Sequence, residues 1–494
     1  MTASMDRLNA AALPGLRGRA GVTVPDQLPD RIGIVHLGIG AFHRAHQAVF
    51  TQAALAADPR WGICGVTQRS ASVRDQLAPQ DGLYAVLESG DGSGGESVSA
   101  EVVGTVREVL FALEQPELVR DRLADPGVGV VTLTVTEKGY RRDPAGGLDR
   151  SDPVVAADLA SGIPGSAVGQ LVRGLQARLI DNGAPVTVIS CDNLVANGAT
   201  LARLVTDFCQ GLPGAEGGPL LDWIHREVRF PSSMVDRIVP ATTADDRSRA
   251  ETLLGLHDAG LVVAEPFRQW VIEAPAGDPD EPWPLPAWEL GGAILTDDVA
   301  PWEAAKLRLL NASHSLLAYA GALAGYATIG EAVHDDELRG LAQALMTQDA
   351  RPTLTPPPGL DLDAYCAEVL TRFANPALRH TTEQVAMDGS MKLPLRLLGT
   401  VRERLAAGGQ PVWAALAVAA WMVYVARGTD GHGRPLRLQD PIADRLRQAA
   451  AGGPDGLVER LLGVREVFDE ELAGSAPFAD LLREHVDRLW KAAG

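Results

Sequence analysis

The chain has 494 residues, 46% of them hydrophobic and 22% charged, an ordinary composition for a globular protein with room for two or three domains. A formal net charge of −19 leaves no clustered cations for nucleic acid or an anionic membrane, so small molecules are the natural partners. Cys64, Cys191, Cys209 and Cys366 lack CxxC spacing, and neither an apolar signal core nor a bilayer-length apolar run stands out, which reads as a cytoplasmic chain with reduced thiols.

Residues 1–30 have no periodicity and read as an arm over the first domain. Residues 31–37 are a short apolar strand, followed by Gly38-Ile39-Gly40 and a helix that begins with Ala41, Phe42 and His43. Strand, glycine turn and helix lay a pyrophosphate on backbone N–H groups, with Gly38 making the turn and Gly40 letting the backbone approach the phosphates. His43 replaces the third glycine of the dinucleotide fingerprint, so the motif draws its weight from context. Further apolar strands at 62–67, 128–135 and 185–190 alternate with helical stretches, as a doubly wound parallel sheet requires. The acidic residue expected to hold the ribose is missing at the end of the second strand, where Thr67, Gln68 and Arg69 stand. NAD is the expected cofactor with NADP left open, and Arg69 leans toward the phosphate. His43 and His46 lack a Glu or Cys at ligand spacing, so no metal is expected. Between Leu83 and Val106 two alternating segments flank a glycine-rich run at 90–95, a β-hairpin with a mobile tip.

Two polar clusters, 134–140 and 190–198, follow apolar strands, where open α/β sheets bind ligands; helix capping explains Asp192 and Asn193 equally well. Segments 234–240 and 265–271 carry Asp236 and Arg268 among apolar neighbours. The Pro-, Gly- and Asp-rich run 275–292 reads as the crossing between domains. The expected architecture is a Rossmann-like, doubly wound dinucleotide-binding domain over 1–290, followed by a mostly α-helical substrate and catalytic domain over 291–494.

That second domain opens on one amphipathic helix from Pro301 to Ala320. At about 100° per residue, Lys306, Asn311 and His314 share a broad face directed at an interdomain cleft. The chain holds only four lysines, Lys138, Lys306, Lys392 and Lys491, because arginine serves wherever a plain positive charge is wanted. A lysine kept in that background suits a task that arginine cannot do, the loss of a proton. With a dinucleotide domain, such a helix suggests hydride transfer at an alcohol carbon, which needs a base for the hydroxyl proton and donors for the alkoxide. No metal is called for.

The motifs at 34–47, 134–140, 190–198 and 234–240, together with Lys306-x5-Asn311-x2-His314, resemble the polyol-specific long-chain dehydrogenases, the mannitol dehydrogenase family. Within it, 267–273 and 380–394 look most like the fructuronate reductase (D-mannonate oxidoreductase) branch. The resemblance implies that Lys306 is the general base, that Asn197 and Asn311 hold the oxyanion, and that His314 positions substrate hydroxyls. It also implies a proton relay at Glu303 and substrate contacts at Asp236 and Lys392, with His380 opening the branch motif. Gln384 stands where the mannitol enzymes tend to have arginine. A sugar acid brings a carboxylate that needs a cation, for which Arg268, Arg372, Arg379 and Lys392 are candidates. The reading is therefore reduction of a keto-uronate, with a mannitol or related polyol dehydrogenase as the alternative and a non-catalytic dinucleotide-binding protein as the third.

Overall fold

Runs such as Ile32–Leu37, Gly62–Thr67 and Val186–Ser190 are almost wholly buried and rich in Val and Ile, the mark of strands covered on both faces. In the computed structural model they belong to a six-stranded parallel sheet. Its strands are β1 (Ile32–Leu37), β2 (Gly62–Thr67), β3 (Val106–Phe111), β4 (Val130–Leu133), β5 (Val186–Ser190) and β6 (Val228–Arg229). They lie in the order β3-β2-β1-β4-β5-β6. This is the doubly wound order of dinucleotide-binding folds, in which the ligand crevice opens where the order reverses, here between β1 and β4. The structure describes residues 6–92, 95–274, 283, 285–376 and 380–492.

The period of two along each strand sorts the apolar residues into two cores. Val35 and Leu37 of β1, with Cys64 and Val66 of β2, join one core with helices Ala167–Asp181 and Asn197–Gly211. Ile34 and Ile63 face the other, which contains Phe50, Trp270 and Trp288. The expected hairpin is present, Tyr84–Gly92 antiparallel to Gly95–Val103, with Ser93 and Gly94 of its tip outside the described residues. It sits in a separate four-stranded sheet, flanked by Val22–Thr23 from the N-terminal arm and by Val262–Ala264.

A third sheet pairs Ser233–Asp236 with Gln269–Glu273, and the latter with Ile294–Thr296. That last strand carries the first compact unit to Val299, past the expected boundary at 290; the second unit is Ala300–Gly494. Most of the crossing run, 275–282 and residue 284, lies outside the described residues. Every described element of the second unit is helical. Its centre is Val412–Arg427, apolar all round and packed between Ala312–Ala324 and Ala476–Ala492. Among the described residues no helix is long and apolar enough to cross a membrane.

Arg178 locks the first unit's layers. Its fully buried guanidinium donates to the carbonyl oxygens of Leu123, Asp125, Val128, Ala184 and Pro185 at 2.8–3.2 Å, tying a helix end to the segments entering β4 and β5. Burial pulls its pKa down to about 10, which leaves it charged at neutral pH. Arg178→Met keeps the stem but orphans these carbonyls, and should cost about 3 kcal/mol or more, since each buried unpaired group costs roughly 1–3. The loss reads out as a lower midpoint of thermal unfolding.

Candidate active site

At the carboxyl ends of β1, β2 and β4 lies a cavity of about 390 Å³. Its walls are the glycine turn 38–40, residues 67–70 after β2, and 134–136 after β4. Gly38 has φ +101, and a Cβ there would stand 2.1 Å from the Thr134 carbonyl oxygen, so the turn admits no side chain. Gly40 is different: its φ of −93 is ordinary, and a Cβ would meet nothing nearer than 3.8 Å. The chain's own packing does not require glycine at that point, whereas a phosphate pressed against the backbone would. The cavity thus fits the dinucleotide read from the sequence.

Ala41, Phe42 and His43 do not line this cavity. The helix they begin is one short stretch, Ala41–Ala45, broken at His46 and resumed as Gln47–Ala54. Phe42 stacks on His46, whose Nε2 donates to the Gln269 carbonyl at 2.9 Å. His43 is fully buried and stacks on His36 with ring centroids 3.4 Å apart. Burial holds both rings neutral, His43 well below its ordinary value and His36 at about 3. The Thr134 hydroxyl donates to the Gly38 carbonyl at 2.8 Å, so it accepts from His36 Nε2–H at 2.8 Å, and Nδ1 accepts from the Thr132 hydroxyl at 2.7 Å. The two histidines brace the glycine turn from below.

Asp192 braces the opposite wall. Its carboxylate accepts from the N–H groups of Val135 at 2.9 Å and Thr136 at 3.0 Å, and from the Tyr140 hydroxyl at 2.8 Å. Thr136 and Ala196, flanking this clamp, have φ of +65 and +47, unfavourable for residues with a Cβ, and the clamp helps to hold them there. Burial raises the Asp192 pKa to about 6, against the opposing effect of its three donors. Asn193 is exposed, as is Lys138.

Asn197 is buried, and its amide is fully engaged within the first unit. Nδ2 donates to the carbonyls of Ser190, Asp192 and Ser233 at 2.7–3.1 Å, and Oδ1 accepts from the Ser233 N–H at 2.8 Å. That makes it a pin between the end of β5 and strand Ser233–Asp236. Asp236 ends that strand and is buried. The Arg268 guanidinium lies 3.6 Å from the Glu101 carboxylate and over the Phe50 ring.

In the second unit the expected continuous α-helix is corrected. Ala300–Ala305 is α, Lys306–Asn311 is a π turn, and α geometry resumes at Ala312–Ala324. An i→i+5 turn brings residues five apart more nearly over one another than an α turn does, so Lys306 and Asn311 lie closer to one face than the α wheel implies. Both are buried, as is His314, and Glu303 is half-buried one turn before Lys306. Two further π turns, Leu345–Ala350 and Pro394–Leu398, pack against this one.

His314 stacks on Phe373 at 4.8 Å and lies 5.2 Å from His380. Among the described residues its Nε2 has no hydrogen-bond partner. Burial drives its pKa well down, helped by His380 and by the charges of Arg396, Lys392 and Arg372. Lys392 Nζ donates to the Val385 carbonyl at 3.2 Å. Arg396 donates to the Ser315 hydroxyl at 3.0 Å and the Asn311 carbonyl at 3.4 Å. The sequence reading missed Arg396, although it stands one helical turn after Lys392. Arg379 lies outside the described residues, and Gln384 is exposed.

Residues 32–283 match the mannitol dehydrogenase Rossmann domain, and residues 298–490 the mannitol dehydrogenase C-terminal domain. The chain belongs to the mannitol dehydrogenase family. It is an oxidoreductase of that family, acting on CH–OH groups of sugar alcohols or sugar acids. It is 42% identical to the D-mannonate oxidoreductase of Escherichia coli (strain K12) over 456 residues, 90% of each chain. It is 35% identical to a mannitol 2-dehydrogenase of Pyrenophora tritici-repentis, over 98% of this chain and 84% of that one. The solved ternary complex of Pseudomonas fluorescens mannitol 2-dehydrogenase with NAD and D-mannitol superposes with a TM-score of 0.86 at 35% identity, covering 99% and 97% of the two chains.

The Asp192 clamp gives this family member a pH signature. Its folded pKa lies above the ordinary 3.8, so the folded state takes up the proton first as pH falls. Its contribution therefore makes folding less favourable as pH rises from 3.8 to about 6, and acid is expected to loosen the cavity wall without unfolding the chain. Titration of reduced cofactor followed by fluorescence should show affinity weakening as pH drops through about 6. Asp192→Asn should bind about tenfold more weakly at neutral pH, with that inflection gone.

Proposed function

We propose that this mannitol dehydrogenase family member is an NAD(P)-dependent reductase of a keto-uronate, converting D-fructuronate to D-mannonate reversibly. The observation that carries the reading is the set of cations around His314. Arg372, Lys392 and Arg396 act on one imidazole in a chain whose net charge is −19. A neutral polyol calls for hydroxyl partners, whereas a carboxylate repays this concentration of positive charge with charge-assisted hydrogen bonds. The 42% identity to a D-mannonate oxidoreductase points the same way. A second reading, a mannitol 2-dehydrogenase, is favoured by the likeness to the solved mannitol complex.

Lys306 delivers a proton to the carbonyl oxygen during reduction and takes it back during oxidation; Glu303, one turn before it, passes that proton on. The Asn311 amide stabilises the oxyanion, and Asn197 contributes through the strand ends that it pins. Neutral His314 orients substrate hydroxyls through its Nε2, which has no partner among the described residues. Arg396 and Lys392 hold the carboxylate, Arg372 adds its charge, and Asp236, His380 and Arg379 remain candidates for substrate contact. The dinucleotide, when bound, supplies or accepts the hydride. Four buried, unbridged cysteines suit a cytoplasmic setting.

Lys306→Met should leave cofactor affinity within twofold and lower kcat by about 10²–10⁴, the range for a lost acid–base group. Turnover that survived with an unchanged pH profile would remove Lys306 from the mechanism. Substrate class is decided by oxidation of reduced cofactor on D-fructuronate, D-tagaturonate and D-fructose. Turnover confined to a uronate is expected; efficient turnover of fructose would favour the mannitol reading. Arg396→Ala should raise the uronate KM by about tenfold or more, the loss of one charge-assisted bond, with little change for fructose.

A further inference from the structure

The adenosine end of a dinucleotide is selected where the strand next to the glycine turn ends, in this chain at residues 67–70 after β2. An enzyme selective for NAD places a carboxylate there, because a carboxylate accepts from the ribose hydroxyls and repels a 2′-phosphate. Among the described residues lining the cavity there is neither Asp nor Glu. Gln68, the polar residue best placed to substitute, is committed elsewhere: its amide exchanges hydrogen bonds with that of Gln170 at 2.8 and 2.9 Å.

Two arginines line the cavity, and they differ in one respect. Arg141 is paired with Asp152 at 2.8 Å. Arg69 is exposed and, among the described residues, has no hydrogen bond or ion pair. The next arginine along the chain, Arg74, is held by Glu114 and Asp75. A strongly acidic chain has thus paired the neighbouring guanidiniums and left an uncompensated one at the ribose end of the cavity, beside the exposed hydroxyl residue Ser70.

We propose that Arg69, with Ser70, accepts the 2′-phosphate of NADP(H), so that this enzyme uses NADP(H) at least as well as NAD(H). The guanidinium fork meets a phosphate in bidentate fashion, and the missing carboxylate removes the penalty that would exclude it. The inference rests on the cavity being the dinucleotide site and is independent of which sugar is reduced.

Calorimetric titration of the whole enzyme with 2′,5′-ADP and with 5′-AMP isolates the phosphate from catalysis. 2′,5′-ADP should bind about tenfold tighter or more, as a charge-assisted contact implies. The ratio should shrink as salt is raised. It should fall toward one in Arg69→Ala, and NADPH should match or exceed NADH in kcat/KM. If 5′-AMP binds as tightly as 2′,5′-ADP, or if the ratio persists in Arg69→Ala, the assignment of Arg69 is wrong while the cavity stands. If neither nucleotide binds, the cavity assignment fails with it.

Discussion

The first unit depends on how the loops at the carboxyl ends of β4 and β5 are held against the glycine turn. Asp192 draws Val135, Thr136 and Tyr140 together, and Asn197 ties the end of β5 to strand Ser233–Asp236. Without these partners, Thr136 and Ala196 would relax from positive φ, and the wall opposite Gly38 would lose its shape. The stacked His36 and His43 hold the turn from beneath, with both rings kept neutral by burial. Polar residues that look catalytic in a list of motifs here build the frame of a cavity whose own lining is largely backbone and small side chains.

The second unit solves another problem. It buries Lys306, Asn311 and His314 on a helix and turns Lys306 and Asn311 toward one face. The π turn over Lys306–Asn311 does so with one widened turn, at the cost of the regular ladder, and two more π turns packed against it share the irregularity. Around that helix, Arg372, Lys392 and Arg396 make a local positive field in an acidic chain. Burial, helped by that field, keeps His314 neutral, able to accept a hydrogen bond at one nitrogen and donate from the other.

Much of the fold was legible. The strands around 32–37, 62–67, 128–135 and 185–190 appear where the apolar runs place them, because strands buried on both faces leave little else for such runs to do. The hairpin was legible from its alternation. β3 was not set apart, since Val106–Phe111 follows the hairpin with only a short break and carries charge among its apolar residues. The scarcity of lysine singles out Lys306 and Lys392, whereas Arg396 does not stand out in a chain rich in arginine.

By itself the sequence determined the class of fold and the family, and it offered candidates for the chemistry, because periodicity, glycine turns and rare residue types are local properties. Tertiary structure alone decided which polar groups already have partners. Asn197, Gln68, Arg141 and Arg268 are engaged, whereas His314 Nε2 and Arg69 are without a hydrogen-bonding partner among the described residues. It also decided the π turn, since a widened helical turn is stable only where packing from distant segments compensates the strained ladder. Both depend on contacts between residues far apart in the chain, which no local pattern encodes.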